Sequence, residues 1–237
     1  MESILKRCTL VIPDAGPFNS LWVADQLPLL LKLDMKIVVV DAVYDELTSD
    51  LSYPKDCAVK ELIDSNPAVF TVQPTKTGRR EREDVAKGLS RSKNAGEVAM
   101  TDFISADDGL NKYLSLSDPV VVLFEDSDIR GMRIFTTTPN VHLLSTVALI
   151  RGMEKVGIVR SADAIIQEMV HPTKHHPSKS RKFNDLPGGI DEPAQIGSTW
   201  LPKPPDGSGV CGKCLKKPCE CGGRDRVVST KTPGIGM

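Results

Sequence analysis

The stretch VIPDAGPFNSL, at residues 11–21, decides the fold class of this 237-residue chain. Its first residues belong to the apolar run CTLVI of residues 8–12, which predicts a buried strand. A helical pattern follows, with Pro17 in its first turn, where the missing proline N–H leaves no hydrogen bond unmade. Asp14 lies where the strand gives way to the helix, so the stretch predicts a strand–acid–helix unit.

The same alternation of strand and helix continues to about residue 170. The runs KIVVV (36–40) and VVVLF (120–124) predict two more buried strands, RIFT (133–136) predicts another, and Val69 to Val72 a short one. Because the strands are apolar throughout and are separated by helices, we expect a mainly parallel sheet with helices on both faces, an α/β fold. Helices are predicted at 17–32, 41–49, 56–65, 95–106, 140–153 and 161–170, the last with Ser161 as its N-cap.

The composition changes at Pro172 and divides the chain into two predicted regions. Residues 172–237 contain 9 of the 17 prolines and 10 of the 18 glycines, and carry 11 Lys+Arg against 6 Asp+Glu. Residues 1–171 carry 19 Lys+Arg against 25 Asp+Glu. We therefore expect an acidic folded domain at 1–171 and a basic, mostly disordered tail at 172–237. Trp200, beside Leu201, predicts a short tail segment that docks on another surface.

The chain shows no pattern of a secreted or membrane protein. The start MESILKRCTL lacks the apolar run of a signal peptide, and no run approaches the ~20 apolar residues of a membrane span. We expect a soluble cytoplasmic protein without a membrane partner.

Four of the six cysteines are concentrated in the tail motif CGKCLKKPCECGG. Four thiolates at such short spacing can bind Zn²⁺ tetrahedrally, although these gaps do not match a common zinc ribbon. The alternatives are a flexible cysteine-rich tail and redox-sensitive thiols. The candidate zinc ligands are Cys211, Cys214, Cys219 and Cys221.

Four acids fall where a parallel sheet collects functional groups. Asp14 and Asp126 follow predicted strands, and Glu46 lies one turn into the helix after the second strand. Glu97 lies in the first turn of the helix at 95–106. The carboxyl ends of parallel strands meet at one edge, so these acids can converge. Converging carboxylates repel one another, and a divalent cation such as Mg²⁺ with oxygen ligands relieves that repulsion.

Each of these acids also has a structural alternative. Asp14 fits a helix cap, and Glu46 fits a solvent-facing helical position. Glu97 lies three residues after Asn94, which is the spacing of a capping box. Asp126 fits an ordinary turn between a strand and a helix.

Taken in order, the four acids resemble the motifs of the PIN-domain family, and most closely the VapC-like ribonuclease toxins of prokaryotic toxin–antitoxin pairs. The resemblance extends over about residues 8–170. VIPDAGPFNSL (11–21), VVVDAVYDEL (38–47), NAGEVAMTDFI (94–104) and VVLFEDSDIRG (121–131) resemble the four acidic motifs, and TPNVHLLSTVALIRGMEKVGIV (138–159) resembles the closing helix.

The resemblance implies a Rossmann-like α/β/α domain with Mg²⁺- or Mn²⁺-dependent endoribonuclease activity on RNA. It also implies frequent dimerisation and inhibition by a cognate antitoxin. Carried over to this chain, Asp14, Glu46, Glu97 and Asp126 are the catalytic and metal-binding acids. Asp128 is a second choice for the last position, and Asp102 is a weaker auxiliary candidate. Many VapC-like chains have a small polar residue where this chain has Gly16, so a hydroxyl or amide contact to the metal or phosphate is missing here.

The charged segment 76–93 leads directly into the predicted Glu97 helix. A nuclease with an acidic centre needs cations nearby to hold the phosphate backbone, so this segment predicts an RNA-contacting flap. The alternative is a solvated helix with internal ion pairs. Two rival functions follow for the whole chain: a PIN-like module that binds RNA or a partner without cutting, and a nucleic-acid-processing nuclease unrelated to toxicity. The candidate RNA-binding residues are Arg79, Arg80, Arg82, Arg91 and Lys93.

Overall fold

A five-stranded parallel sheet forms the centre of the molecule. The computed structural model describes residues 6–115, 117–125, 129, 132–170 and 199–205. The strands lie in the order β3-β2-β1-β4-β5, and each pairs with its neighbour in parallel. Their bounds are β1 Leu10–Pro13, β2 Lys36–Val40, β3 Phe70–Gln73, β4 Val120–Phe124 and β5 Val141–Ser145.

Helices connect the strands and cover the sheet. All five residues of β4 are buried, and successive side chains of a strand point to opposite faces, so both faces of this strand are covered. The predicted α/β fold with a parallel sheet is confirmed. The helices are α1 Ala15–Val23, α2 Asp41–Leu47, α3 Pro54–Asp64, α4 Lys76–Ala86, α5 Ala95–Ser105, α6 Arg133–Thr137, α7 Thr146–Lys155 and α8 Ala162–Val170, with 3₁₀ helices at Leu27–Lys32 and Leu110–Lys112.

The prediction for residues 133–153 is wrong in two places. Residues 133–136 form the short helix α6 rather than a strand, and the predicted helix at 140–153 begins instead with β5. A buried parallel strand is a short apolar run that periodicity does not distinguish from helix. The pairing of Val141 with Val120 on the edge of β4 decides in favour of strand.

The predicted helix at 17–32 is interrupted in the middle. Helix α1 ends at Val23, and Asp25 then takes a left-handed backbone conformation with φ of 55°. Leu27 precedes Pro28, and a residue before proline is disfavoured in the α conformation. The second half of the segment forms a separate 3₁₀ helix, Leu27–Lys32.

A short part of the C-terminal region packs against the domain. The Trp200 side chain is 1% exposed, and the N–H of Cys8 donates to the Thr199 carbonyl at 3.1 Å. Gly152 in α7 makes the contact possible, because an added Cβ there would lie 2.2 Å from Trp200 Cη2. The folded unit therefore includes residues 199–205, which lie beyond the boundary predicted at residue 171.

None of the helices within the described ranges combines the length and apolar character needed to cross a membrane.

Candidate functional site

The order of the strands places a crevice between β1 and β4. From β1 the chain builds outward to β2 and β3 on one side, and to β4 and β5 on the other. In open α/β sheets, ligands bind outside the carboxyl ends of the strands at such a reversal. Asp14 follows β1 directly, and its N–H donates to the Leu123 carbonyl of β4 at 2.9 Å. The first predicted acid therefore lies at the position that topology favours for a ligand.

Asp14 is a buried carboxylate whose ionisation is unfavourable. Its pKa is raised from 3.8 to about 7, first by burial and then by the negative charges of Glu97 and Glu46. The amides of Ala15 and Gly16 act in the opposite direction, although neither makes a capping hydrogen bond of normal geometry. Asp14 thus occupies the N-cap position of α1 with extended backbone, but its side chain makes no capping hydrogen bond.

Glu46 and Glu97 reach the same region from α2 and α5. An ideal Cβ placed on Gly96 would lie 3.7 Å from Asp14 Oδ1 and 3.9 Å from Glu46 Oε2, and Glu97 follows Gly96 directly. Glu46 is an exposed residue, as its solvent-facing alternative predicted. Its pKa is nevertheless raised, first by partial desolvation of the carboxyl group and then by the charge of Glu97. The structure therefore brings together three acids that lie 83 positions apart in sequence, from 14 to 97.

Gly96 lets α5 approach α2 closely. A Cβ on Gly96 would come within 2.9 Å of Val43 Cγ2, so a larger residue would push the two helices apart. This close approach carries Glu97 towards Glu46 and is the local reason why the third acid joins the site.

The capping-box alternative for Glu97 is wrong. Asn94 has a left-handed backbone with φ of 62°, and its side chain makes no capping hydrogen bond to α5. An N-cap residue normally has extended backbone geometry. Glu97 therefore does not act as the acidic partner of Asn94 in a capping box.

Glu125 is a buried acid at this edge that the sequence interpretation did not include. It follows β4, is 7% exposed, and accepts a hydrogen bond from Ser20 Oγ at 2.7 Å. An added Cβ on Gly16 would lie 2.9 Å from Glu125 Cβ. A side chain at position 16 would collide with Glu125, which explains why this chain has glycine where a small polar residue was expected. Its place directly after an apolar strand was the available signal.

The donor chemistry of the site suits a hard divalent cation, but the described acids do not form a closed ligand cage. Within the described residues, no group of three or more His, Cys, Asp or Glu side chains is arranged to hold a metal ion. Mg²⁺ commonly uses one or two carboxylates and keeps several waters, so the convergence of Asp14, Glu46 and Glu97 fits that ion. Asp126 and Asp128, the candidates for the fourth acid, lie outside the described residues.

Two cations lie close to the acids. The charges of Lys55 and Arg91 lower the pKa of Glu46, in opposition to burial and Glu97. Arg91 is one of the predicted RNA-binding residues, whereas Lys55 was not identified from the sequence. Lys55 also pairs with Asp56 at 3.3 Å, which places it at the start of α3. The site therefore combines acids with neighbouring positive charge.

Helix α4 docks on α2 rather than lying free in solvent. Arg82 Nε donates to Asp45 at 2.6 Å, and Arg82 also pairs with the buried Asp41 at 3.2 Å. An added Cβ on Gly78 would lie 2.1 Å from Asp41 Oδ1, so only glycine allows this contact. The ion pairs thus join α4 to α2, and they give Arg82 a structural task.

Asp102 also has a structural task. Its Oδ2 accepts hydrogen bonds from the N–H and the hydroxyl of Thr77, at 2.8 and 2.6 Å. It therefore fixes the first turn of α4, and no observation places it with the three acids.

No observation places the other predicted RNA-binding residues or the predicted zinc ligands beside the three acids. Arg79, Arg80 and Lys93 are exposed, and Arg80 pairs with Glu81 at 3.7 Å. Cys211, Cys214, Cys219 and Cys221 lie outside the described residues, so the zinc site stays a prediction.

No protein-family model matches the chain, and no curated protein or solved structure is significantly similar to it.

Proposed function

We propose that this protein is a metal-dependent endoribonuclease of the PIN kind that hydrolyses RNA phosphodiester bonds. One observation carries the proposal: Asp14, Glu46 and Glu97, from three separate elements, converge beside the strand reversal of a parallel sheet. A buried carboxylate with like charges beside it, as Asp14 has in Glu46 and Glu97, is costly unless something compensates it, and such groups concentrate at functional sites.

Asp14, Glu46 and Glu97 are the residues that would hold Mg²⁺ or Mn²⁺, together with Asp126 or Asp128. Such an ion supplies Lewis-acid chemistry, which promotes attack by water and stabilises the leaving oxygen of a phosphodiester. The contribution of the chain itself is to fix three carboxylates at one edge through the helix approach at Gly96. Lys55 and Arg91 offer positive charge for the phosphates that flank the cut.

The physiological role that we propose is that of a cytoplasmic toxin whose activity a cognate antitoxin protein inhibits. The toxin role rests on the ordered acidic motifs and on the polar segment before Glu97. We propose a homodimer as the active form. An RNA-processing nuclease unrelated to toxicity would use the same site. A small neighbouring reading frame that encodes a DNA-binding antitoxin supports the toxin, and its absence favours the processing enzyme.

RNA cleavage tests the proposal directly. Wild-type protein, Asp14→Asn and Asp126→Asn are incubated with RNA in Mg²⁺ or Mn²⁺, with and without EDTA. We expect the wild type to cleave RNA and EDTA to abolish that cleavage. In each variant the cleavage rate should fall by about 10²-fold or more, because the substitution removes a negatively charged ligand of the ion. Equal cleavage by all three proteins, or cleavage that EDTA does not affect, excludes this site.

A second candidate function is a PIN-like module that binds RNA or a partner without cutting it. The observation in its favour is that no three metal-ligating side chains within the described ranges stand in a metal-holding arrangement. The same experiment separates the two functions, because this module would bind RNA and leave it intact with either metal.

A further inference from the structure

A cavity of about 370 Å³ opens between β3, α4 and α5, apart from the three acids. Pro74 and Thr75 form the wall at the carboxyl end of β3, and the first turn of α4 and the second half of α5 form the others. Gly109 lines the cavity as well, and an added Cβ there would lie 1.9 Å from the Phe103 carbonyl oxygen and would force the loop away. The volume lies within the range of small-ligand sites.

Two cations from consecutive turns of α4 line one side of this cavity. Lys76 and Arg79 are exposed, and both contribute to its wall. Within the described residues, the salt bridges of α4 involve Arg80, Arg82 and Lys87, and none involves Lys76 or Arg79. Their charges can therefore be neutralised by an anion such as a phosphate group.

Two carboxylates line the same cavity and give it a second chemical character. Asp102 is held in place by the two hydrogen bonds from Thr77, so its carboxylate is fixed before a ligand arrives. Asp108 lies on the loop that follows α5. Carboxylates accept hydrogen bonds from N–H groups and repel anions, so a simple anion satisfies only half of this lining.

The cavity and the three acids share helix α5. Asp102 follows Glu97 by five residues, which is about 7.5 Å along a helix axis. Both features also lie at the carboxyl edge of the sheet, because β3 ends at Gln73 in the cavity wall. Five residues also correspond to about 140° of rotation round the helix, so a ligand that spans both sites has to pass around α5 as well as along it.

We propose that this cavity is a nucleotide-binding subsite, in which Lys76 and Arg79 bind a phosphate while Asp102 and Asp108 accept hydrogen bonds from the base. The inference rests on the proposed function in taking RNA as the substrate that spans both sites. Proteins recognise unstacked bases through their Watson–Crick edges. Guanine presents two adjacent N–H donors to a carboxylate on that edge, so it is the base that this lining fits best.

Calorimetric titration of the full-length protein in EDTA tests the subsite without requiring cleavage. The probes are GMP, UMP, inorganic phosphate and ribose 5-phosphate. We expect GMP to bind at least about tenfold more tightly than the other three probes, which is the value of one hydrogen bond to a charged group. Arg79→Ala should lose that binding, while Arg160→Ala, an exposed arginine outside the cavity, should retain it.

The carboxylates are tested with Asp108→Asn, which keeps the shape of the side chain. We expect GMP to lose its advantage over UMP in this variant. Equal affinity for GMP and inorganic phosphate in the wild type would overturn the proposal, as would GMP binding that Arg79→Ala does not weaken. The proposed ribonuclease fails separately, if the Asp14→Asn and EDTA experiment shows no metal-dependent cleavage.

Discussion

An ionised acid at the position of Asp14 costs folding free energy, because the carboxylate is buried beside two other negative charges. The residue is 7% exposed and has two negative neighbours, so its ionised form is destabilised. A protein free of functional demands would gain stability by replacing it. The proposed function gives this carboxylate a task, because a bound cation would offset the cost of its ionisation.

This cost makes stability depend on pH in metal-free protein. The folded pKa of Asp14 is about 7 against an ordinary 3.8, so between these values the folded state keeps a proton that the unfolded state releases. Its contribution therefore makes folding less favourable as pH rises from about 4 to about 7, and the penalty is complete above that range. Urea unfolding in EDTA at pH 5, 6, 7 and 8 measures the slope.

Asp14→Asn is the matched variant, because asparagine has the same shape and does not ionise. We expect it to be more stable than the wild type at pH 8, with the difference shrinking towards pH 5. Wild-type and variant profiles that stay parallel across this range would contradict the assigned environment of Asp14.

At the scale of secondary structure, α4 packs against α2, and its first turn forms one wall of the candidate cavity. That first turn is fixed by Asp102 and by the contact of Gly78 with Asp41. Arg82, in the middle of α4, pairs with Asp41. The charged sequence of this segment therefore serves packing as well as solvation.

Gly78→Ala should destabilise the protein, although alanine is ordinarily the better helix former by about 1 kcal/mol. The added methyl group would lie 2.1 Å from Asp41 Oδ1 and must displace α4. We expect a loss of about 1–3 kcal/mol in the free energy of unfolding. Glu83→Ala, on the exposed face of the same helix, should change it by no more than about 0.5 kcal/mol. A stabilising Gly78→Ala would show that the contact does not form.

The strands that carry the site could be predicted from the sequence because burial on both faces makes them apolar throughout. β1, β2 and β4 were recognised in this way, and with them the position of Asp14. β5 was not, because residues 140–153 were interpreted as one apolar helix, although Ser145, whose hydroxyl accepts a hydrogen bond from the Ala148 N–H, marks the start of α7. The sequence also could not reveal Glu125 against Gly16, since that contact joins residues 109 positions apart.

For the whole molecule, the packing of residues 199–205 redefines where the folded unit ends. Trp200 fills the space above Gly152, and Lys203 pairs with Asp34 at 3.4 Å. Proline and glycine content changes at residue 172, and Trp200 beside Leu201 predicted a docking segment without indicating the surface on which it docks.

Trp200→Ala should therefore act as a core substitution. We expect a loss of about 3–5 kcal/mol in the free energy of unfolding, as for other large buried aromatic residues. Lys203→Ala removes only an exposed ion pair and should cost less than about 1 kcal/mol. Denaturant unfolding of the full chain measures both. Similar small losses in the two variants would mean that the segment does not contribute to stability.

We propose that acids from three separate elements act as one metal-dependent site, and Glu97 provides the most direct test because, of these acids, it is the farthest in sequence from Asp14. The measurement is the rate of Mg²⁺-dependent RNA cleavage by Glu97→Gln, with Glu83→Gln on the exposed face of α4 as the matched control. We predict a loss of about 10²-fold or more for Glu97→Gln and an unchanged rate for Glu83→Gln. Equal rates for Glu97→Gln and the wild type would contradict the account.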